Sequence, residues 1–185
     1  MKKIGIFLTV VSVLLIGFIA FKLTGNMVGN QGTKVKLETS KGDIVMQLYD
    51  TQMPITAANF KKLVEKGFYN NVIFHRVIDG FMIQTGDPTG TGGGGPGYTI
   101  QDEYTHTSLD ENQRGTVAMA KSSAPNSAGS QFFINLVDNK FLNGGYSVFG
   151  KVTQGMNVVD AIGKVQTDEN DKPLEEVRII KASVI

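Results

Sequence analysis

Cysteine is missing from the 185 residues altogether. Its absence excludes a disulfide scaffold, a cysteine nucleophile, a thiolate zinc site and a lipidated N-terminal cysteine. Histidine is scarce, with only His75 and His106 present, too few for a His-rich metal centre. A surplus of one charge is missing as well. The 18 basic and 17 acidic side chains leave a net charge of +1, no basis for a general electrostatic grip on nucleic acid. No metal, cofactor or nucleic-acid partner is therefore expected. What the chain does contain suits a folded globule: 41% hydrophobic and 19% charged residues, unlike the composition of a disordered chain. Its length gives room for one compact domain plus a short appendage.

The appendage stands at the N-terminus. Ile4–Phe21 carries no charge, follows Lys2 and Lys3, and stops at Lys22. As a helix it would reach ~27 Å, about the hydrocarbon thickness of a bilayer. Lysines ahead of it and few after it favour a cytoplasmic N-terminus with the remainder exported. A cleaved signal peptide is the competing reading, although the run exceeds the usual apolar core and no small-x-small pair follows it convincingly. Residues 1–22 are thus expected to form a transmembrane anchor or signal peptide. Residues 23–34, rich in Gly and Asn, read as a flexible linker with a reach of about 40 Å. The folded part is expected on the extracytoplasmic side of a membrane, tethered there, or exported or periplasmic if the segment is removed. Lys2, Lys3 and Lys22 are the only charges before residue 31, so the rest carries 15 basic against 17 acidic side chains.

From residue 35 onward the pattern is mostly strand-like. Val35, Leu37 and Thr39 alternate with polar residues, Ser40–Asp43 turns the chain, and Ile44, Met46 and Leu48 alternate on the return, a hairpin signal. Pro54-Ile55-Thr56 offers a helix start with Thr56 as the cap. Phe60, Leu63 and Val64 form its apolar stripe and Gly67 its C-terminal stop. A second helix is expected over Met156–Ile162, closed by Gly163, and a final strand over Val177–Val184. Short strands with two helices and no βαβ rhythm suggest an antiparallel barrel or sandwich. The glycine run 90–97 lacks the Lys-Ser/Thr ending and the following helix of a phosphate loop, and reads as a surface loop.

Two stretches mix polar and apolar residues beyond what packing demands. In FHRVIDGFMIQTGD, residues 74–87, an extended chain puts Phe74, Arg76 and Ile78 on one face and His75 and Val77 on the other. Arg76 among large apolar side chains is either a snorkelling surface residue or a functional one. In AMAKSSAPNSAGSQFFINL, residues 118–136, Gln131 and Phe133 face one way while Phe132, Ile134 and Leu136 face the other, towards the expected core. A glutamine beside a phenylalanine on an outward face suits a small peptide groove. Ser130 lacks the Gly-x-Ser-x-Gly elbow, His75 reads as a structural residue and His106 as part of a loop, so a serine hydrolase has no supporting constellation.

These stretches, with GTGGGGPGYTIQDE at 90–103, GSQFFI at 129–134 and FLNGGYSVFGKVTQGMNVVD at 141–160, resemble the cyclophilin family of peptidyl-prolyl cis–trans isomerases. The likeness runs in order from about Val35 to Ile185. It implies a mostly β domain over residues 35–185: a closed eight-stranded antiparallel barrel capped by two α-helices, here preceded by the N-terminal hydrophobic helix. Carried over by position, Arg76 matches the catalytic arginine. Phe81, Met82, Phe133 and Leu142 match the proline pocket, and Gln84, Ala120 and Gln131 the residues that hold the peptide backbone. Phe141 stands where many members have tryptophan and Tyr146 where many have histidine, both at substrate-binding positions, as in bacterial-looking members. The Lys121–Ala124 stretch is one residue longer than usual. Because Phe141 lacks an indole N–H, weak binding of cyclosporin, the family's inhibitor, is expected.

The resemblance implies a monomeric enzyme, without metal or cofactor, that accelerates isomerisation of X–Pro bonds in proline-containing polypeptides during the folding of exported proteins. The alternative is a non-catalytic proline-peptide binding module or holdase on the same fold.

Overall fold

The alternating apolar residues near the start of the domain form the expected hairpin, β1 (Lys34–Thr39) and β2 (Gly42–Leu48), in a computed structural model that describes residues 32–185. The expected anchor, residues 1–22, and most of the linker lie outside the described residues. Pairing begins just ahead of β1, where the Leu48 N–H donates to the Thr33 carbonyl at 2.8 Å and the Thr33 N–H donates to the Asp50 carboxylate. Among the described residues no helix is long and apolar enough to cross a membrane.

Six further strands complete one sheet: β3 (Arg76–Ile78), β4 (Met82–Thr85), β5 (Thr116–Met119), β6 (Phe132–Asn135), β7 (Val148–Gln154) and β8 (Ile179–Val184). Their order is β3-β4-β6-β5-β7-β2-β1-β8, and every neighbouring pair is antiparallel. Register shifts at Glu38/Thr39, Val45/Met46 and Val117/Ala118 add local twist of the kind that curls a sheet. The expected closed ladder is not what the strands form. Among the described residues β3 does not pair with β8; the segment ahead of β3 does so instead, through Asn71 N–H to Ile179 O at 2.7 Å, Ile179 N–H to Val72 O at 2.8 Å and Phe74 N–H to Val177 O at 2.8 Å, with the bridge Ile73↔Arg178 between them. That seam explains a second departure. Phe74 is buried in the main core, whereas Arg76 is exposed, so the two do not share a face. Regular alternation starts only at Arg76, after the chain leaves the seam.

The core collects one face of the curled sheet and the inner sides of two helices, α1 (Pro54–Glu65) and α2 (Met156–Gly163). Phe60 of α1 sits at its centre, with ring centroids 5.0 Å from Tyr69, 5.1 Å from Phe132 and 5.0 Å from Phe149. Such contacts add to the area term for burying four large aromatics. Gly67, at φ +68, takes the left-handed position that ends α1, with the Phe68 N–H returning to Leu63 O at 3.0 Å, the pairing of a Schellman stop.

The start of α1 differs from expectation. Thr56 does not cap it. Pro54 occupies the first helical position after Met53, so Thr56 is already inside the first turn, buried, and its hydroxyl has no hydrogen-bond partner among the described residues. Pro54 has no N–H, so the donors needing acceptors are those of Ile55 and Thr56. Both reach the Glu103 carboxylate, at 3.1 and 2.9 Å. An acid placed there also complements the helix dipole.

Candidate functional site

Register alone assembles the site. Arg76 pairs with Gln84, Gln84 with Phe133, Phe133 with Ala118, and Ala118 with Val148. Cross-strand partners share a face, so these residues form one row across β3, β4, β6, β5 and β7. The row lies opposite the main core. Phe132 and Ile134 point into that core, as the alternation of β6 predicts, while Met82, Ala118, Phe133 and Val148 form a second apolar cluster.

Loops wall this cluster. Phe81, in the β3–β4 turn, stacks on the exposed Phe141 with ring centroids 5.6 Å apart and planes 27° apart. Tyr146 meets Phe133 edge-on at 5.6 Å. A short 3₁₀ turn, Lys140–Leu142, supplies Leu142. The turn is tied down by Asn139, whose side-chain amide donates to Phe81 O at 3.0 Å and to the Asn135 side-chain oxygen at 2.7 Å. Asn135 in turn donates to Thr116 Oγ1 at 2.9 Å. This buried amide chain, which fixes the Phe81 and Leu142 walls together, was not legible in the sequence. An Asn in a β-pattern carries no mark of the partner that it finds.

The result is a pocket of about 160 Å³ lined by Arg76, Phe81, Met82, Gln84, Ala120, Lys121, Phe133, Leu142 and Tyr146. At ~30 Å³ per water it holds about five waters, room for a small ring. Eight of the ten residues singled out from the sequence meet here. Phe141 extends the wall through Phe81. Gln131 lies in a neighbouring polar cavity of about 380 Å³ that shares Gln84, Ala120 and Lys121 with the first and is bounded by Gly92–Gly94. Its amide donates to Gly92 O and Gly94 O, both at 2.9 Å, and accepts from Gln84 at 2.9 Å. In this structure Gln131 therefore orients Gln84 against the glycine loop.

That loop is organised by a residue the sequence reading passed over. Asp87 is fully buried. It accepts from the backbone N–H groups of Thr89, Thr91, Gly92 and Gly94 at 2.7, 3.0, 2.6 and 3.1 Å, and from the Thr89 hydroxyl at 2.7 Å. Burial alone would raise its pKa, but the Thr89 hydroxyl and the backbone donors outweigh it and hold the carboxyl far below the usual range. At Gly94 a Cβ would fall 2.0 Å from Asp87 Oδ1, so no side chain fits there. The glycines thus wrap a carboxylate of the chain itself. The one available signal was the Asp87-Pro88 pair ahead of alternating Thr and Gly.

Electrostatics at the rim are balanced. Lys121 pairs with Asp102 at 2.5 Å, both largely buried. This pairing raises the Lys121 pKa; for Asp102 burial acts upward, but Lys121, the Asn126 N–H and Tyr104 together outweigh it and lower the carboxyl. Arg76 lies 3.5 Å through Nε from Asp171 Oδ2, both side chains half-exposed. His75, buried behind Arg76, has no hydrogen-bond partner for either ring nitrogen among the described residues. Burial holds its imidazole below the ordinary value, against an upward pull from Asp87. Ser130 Oγ donates to Gly86 O at 2.7 Å in the interior, so it is not offered to a substrate. Among the described residues no group of three or more His, Cys, Asp or Glu is placed to hold a metal ion.

Residues 34–184 match the family model for cyclophilin type peptidyl-prolyl cis-trans isomerase/CLD. The chain is 46% identical over 156 residues to a peptidyl-prolyl cis-trans isomerase-like 1 of Aspergillus fumigatus, covering 83% of this chain and 96% of that protein. It is 45% identical over 155 residues to the Bos taurus protein of the same name, covering 82% and 92%. A crystal structure of a Cryptosporidium parvum cyclophilin type peptidyl-prolyl cis-trans isomerase, solved in the presence of the dipeptide Ala-Pro, superposes with a TM-score of 0.77 at 39% identity, covering 82% of this chain and 98% of that one. These relatives are eukaryotic, and the bacterial-looking character expected at Phe141 and Tyr146 gains no support from them.

Proposed function

The chain belongs to the cyclophilin-type peptidyl-prolyl cis–trans isomerases, and from that membership we propose that it lowers the rotation barrier of X–Pro bonds by stabilising the twisted amide with Arg76. The observation that carries this is the sharing of one small apolar pocket by Arg76, Gln84 and Phe133.

An X–Pro amide resists rotation with a barrier of about 18–20 kcal/mol because its C–N bond has double-bond character. At a right-angle twist the resonance is gone and the nitrogen regains a lone pair. A guanidinium beside the ring donates to that lone pair only in the twisted state, which is binding of the transition state in preference to the ground state. One charge-assisted hydrogen bond contributes about 1.5–3 kcal/mol, whereas a 10⁵-fold acceleration requires about 7 kcal/mol. The remainder falls to clamping. Phe81, Met82, Phe133 and Leu142 hold the ring, while Gln84, braced by Gln131 and the glycine loop, holds the rotating carbonyl side. No nucleophile, metal or proton transfer enters. A binding-only module would need the apolar slot but no guanidinium in its lining.

Arg76→Ala should lower turnover of a proline tetrapeptide about 10²-fold or more, near 3 kcal/mol, without loss of fold by circular dichroism. Parent-like turnover in the folded variant would remove Arg76 from the reaction.

The reading extends to setting. The uncharged run Ile4–Phe21 and the short Gly/Asn-rich stretch after it support a domain that acts on exported polypeptides close to a membrane surface.

A further inference from the structure

We propose that Asp171 is a positioning residue for catalysis, its carboxylate holding the Arg76 guanidinium in the orientation the twisted bond requires. The inference rests on the reading of Arg76 given above.

Strand β3 has one neighbour in the sheet, β4, so its other edge depends on a loop. The turn at 168–172 supplies it. The Asp171 carbonyl accepts from the Val77 N–H at 2.8 Å, and the carboxylate of the same residue lies 3.5 Å from Arg76 Nε. One residue therefore grips two consecutive residues of β3, through its backbone and through its side chain.

The turn is held by hydrogen bonds that do not involve Arg76. Asp168 Oδ1 accepts from the Asn170 and Lys172 N–H groups, both at 2.9 Å. The Asp171 N–H returns to Asp168 O at 3.1 Å, and the Asp168 N–H reaches Lys172 O at 2.8 Å. Asp171 sits at φ +63, a left-handed conformation that Asp and Asn adopt more readily than other side chains. Its position is thus set by the turn, and the long, half-exposed Arg76 side chain is the moving part. The contact engages Nε, so the Nη donors stay available to a peptide in the pocket that Arg76 lines.

An ion pair this exposed contributes little to folding. Its loss should therefore appear in turnover and leave the melting temperature in place, which separates positioning from a structural role. Asp171→Asn keeps the left-handed turn and the carbonyl contact to Val77 but removes the charge.

The experiment measures catalysed exchange at saturating proline tetrapeptide, and peptide Kd, by NMR for Asp171→Asn in the parent and in Arg76→Ala. Expected is a roughly three- to tenfold fall in the saturated rate, with Kd and Tm unchanged, and no further fall in the Arg76→Ala background. If Asp171→Asn turns over like the parent while Arg76→Ala is impaired, the assignment of Asp171 is wrong. An equal fall in both backgrounds overturns it too, since the effect would not run through Arg76. If Arg76→Ala itself is unimpaired, it is the reading of Arg76 that fails.

Discussion

A guanidinium does not lose its proton in a protein, so chemistry that rests on Arg76 has no reason to follow pH. The groups around it agree. Burial moves His75 below its ordinary range, the Lys121–Asp102 pair moves both partners away from neutrality, and Asp87 stays ionised. We expect a turnover rate nearly flat between about pH 6.5 and 9; a severalfold change of rate within that window would instead put a titrating group in the reaction. Stability follows a different course. As pH falls below about 6.5 the unfolded chain binds a proton that native His75 resists, so stability declines on the acid side. Phe141, 75% exposed and stacked on Phe81, offers ring area but no N–H. Cyclosporin should accordingly bind weakly, and nanomolar inhibition of the purified domain would contradict that reading.

Among the elements, α1 shows how far the origin of a cap lies from the helix it serves. Its two free N–H groups are satisfied by Glu103, on a segment far along the chain. The same segment carries Asp102, partner of Lys121 at the pocket rim, and Glu103's own N–H donates to Ser147 Oγ at 3.0 Å. Glu103→Ala should cost about 1 kcal/mol, or roughly 2–4 °C in Tm for a domain of this size. A thermal melt within a degree of the parent would show that water replaces the carboxylate without loss. The strand β3 is the other instructive element. It is too short to announce itself by alternation, and its useful face is set by pairing with β4 on one side and by the 168–172 turn on the other.

At the scale of the whole molecule, the sheet separates two jobs. One face makes the aromatic core around Phe60, and the other carries the row from Arg76 to Val148. The tether proposed for the N-terminus is tested on the full chain in its host. The protein should stay with membranes through alkaline extraction, and the domain should be digested by protease added outside the cytoplasm. Recovery in the soluble fraction at full mass would overturn the tether. Strand periodicity was legible in advance wherever successive residues serve opposite faces of the sheet, as in the β1–β2 hairpin and in Phe132, Phe133 and Ile134, because alternation is a local consequence of backbone geometry. The identity of the pocket residues was legible by resemblance. Four things were not: that Glu103 and not Thr56 serves α1, that Asn139 and Asn135 tie the pocket walls together, that Asp87 organises the glycine loop, and that Asp171 meets Arg76. Each depends on which backbone or side-chain groups folding brings within about 3.5 Å, and a polar residue's position in sequence does not by itself specify its partner in space. Local pattern determined the elements, because alternation and helical spacing are properties of the chain's own geometry; the tertiary structure decided which strands, charges and amides come together around the pocket.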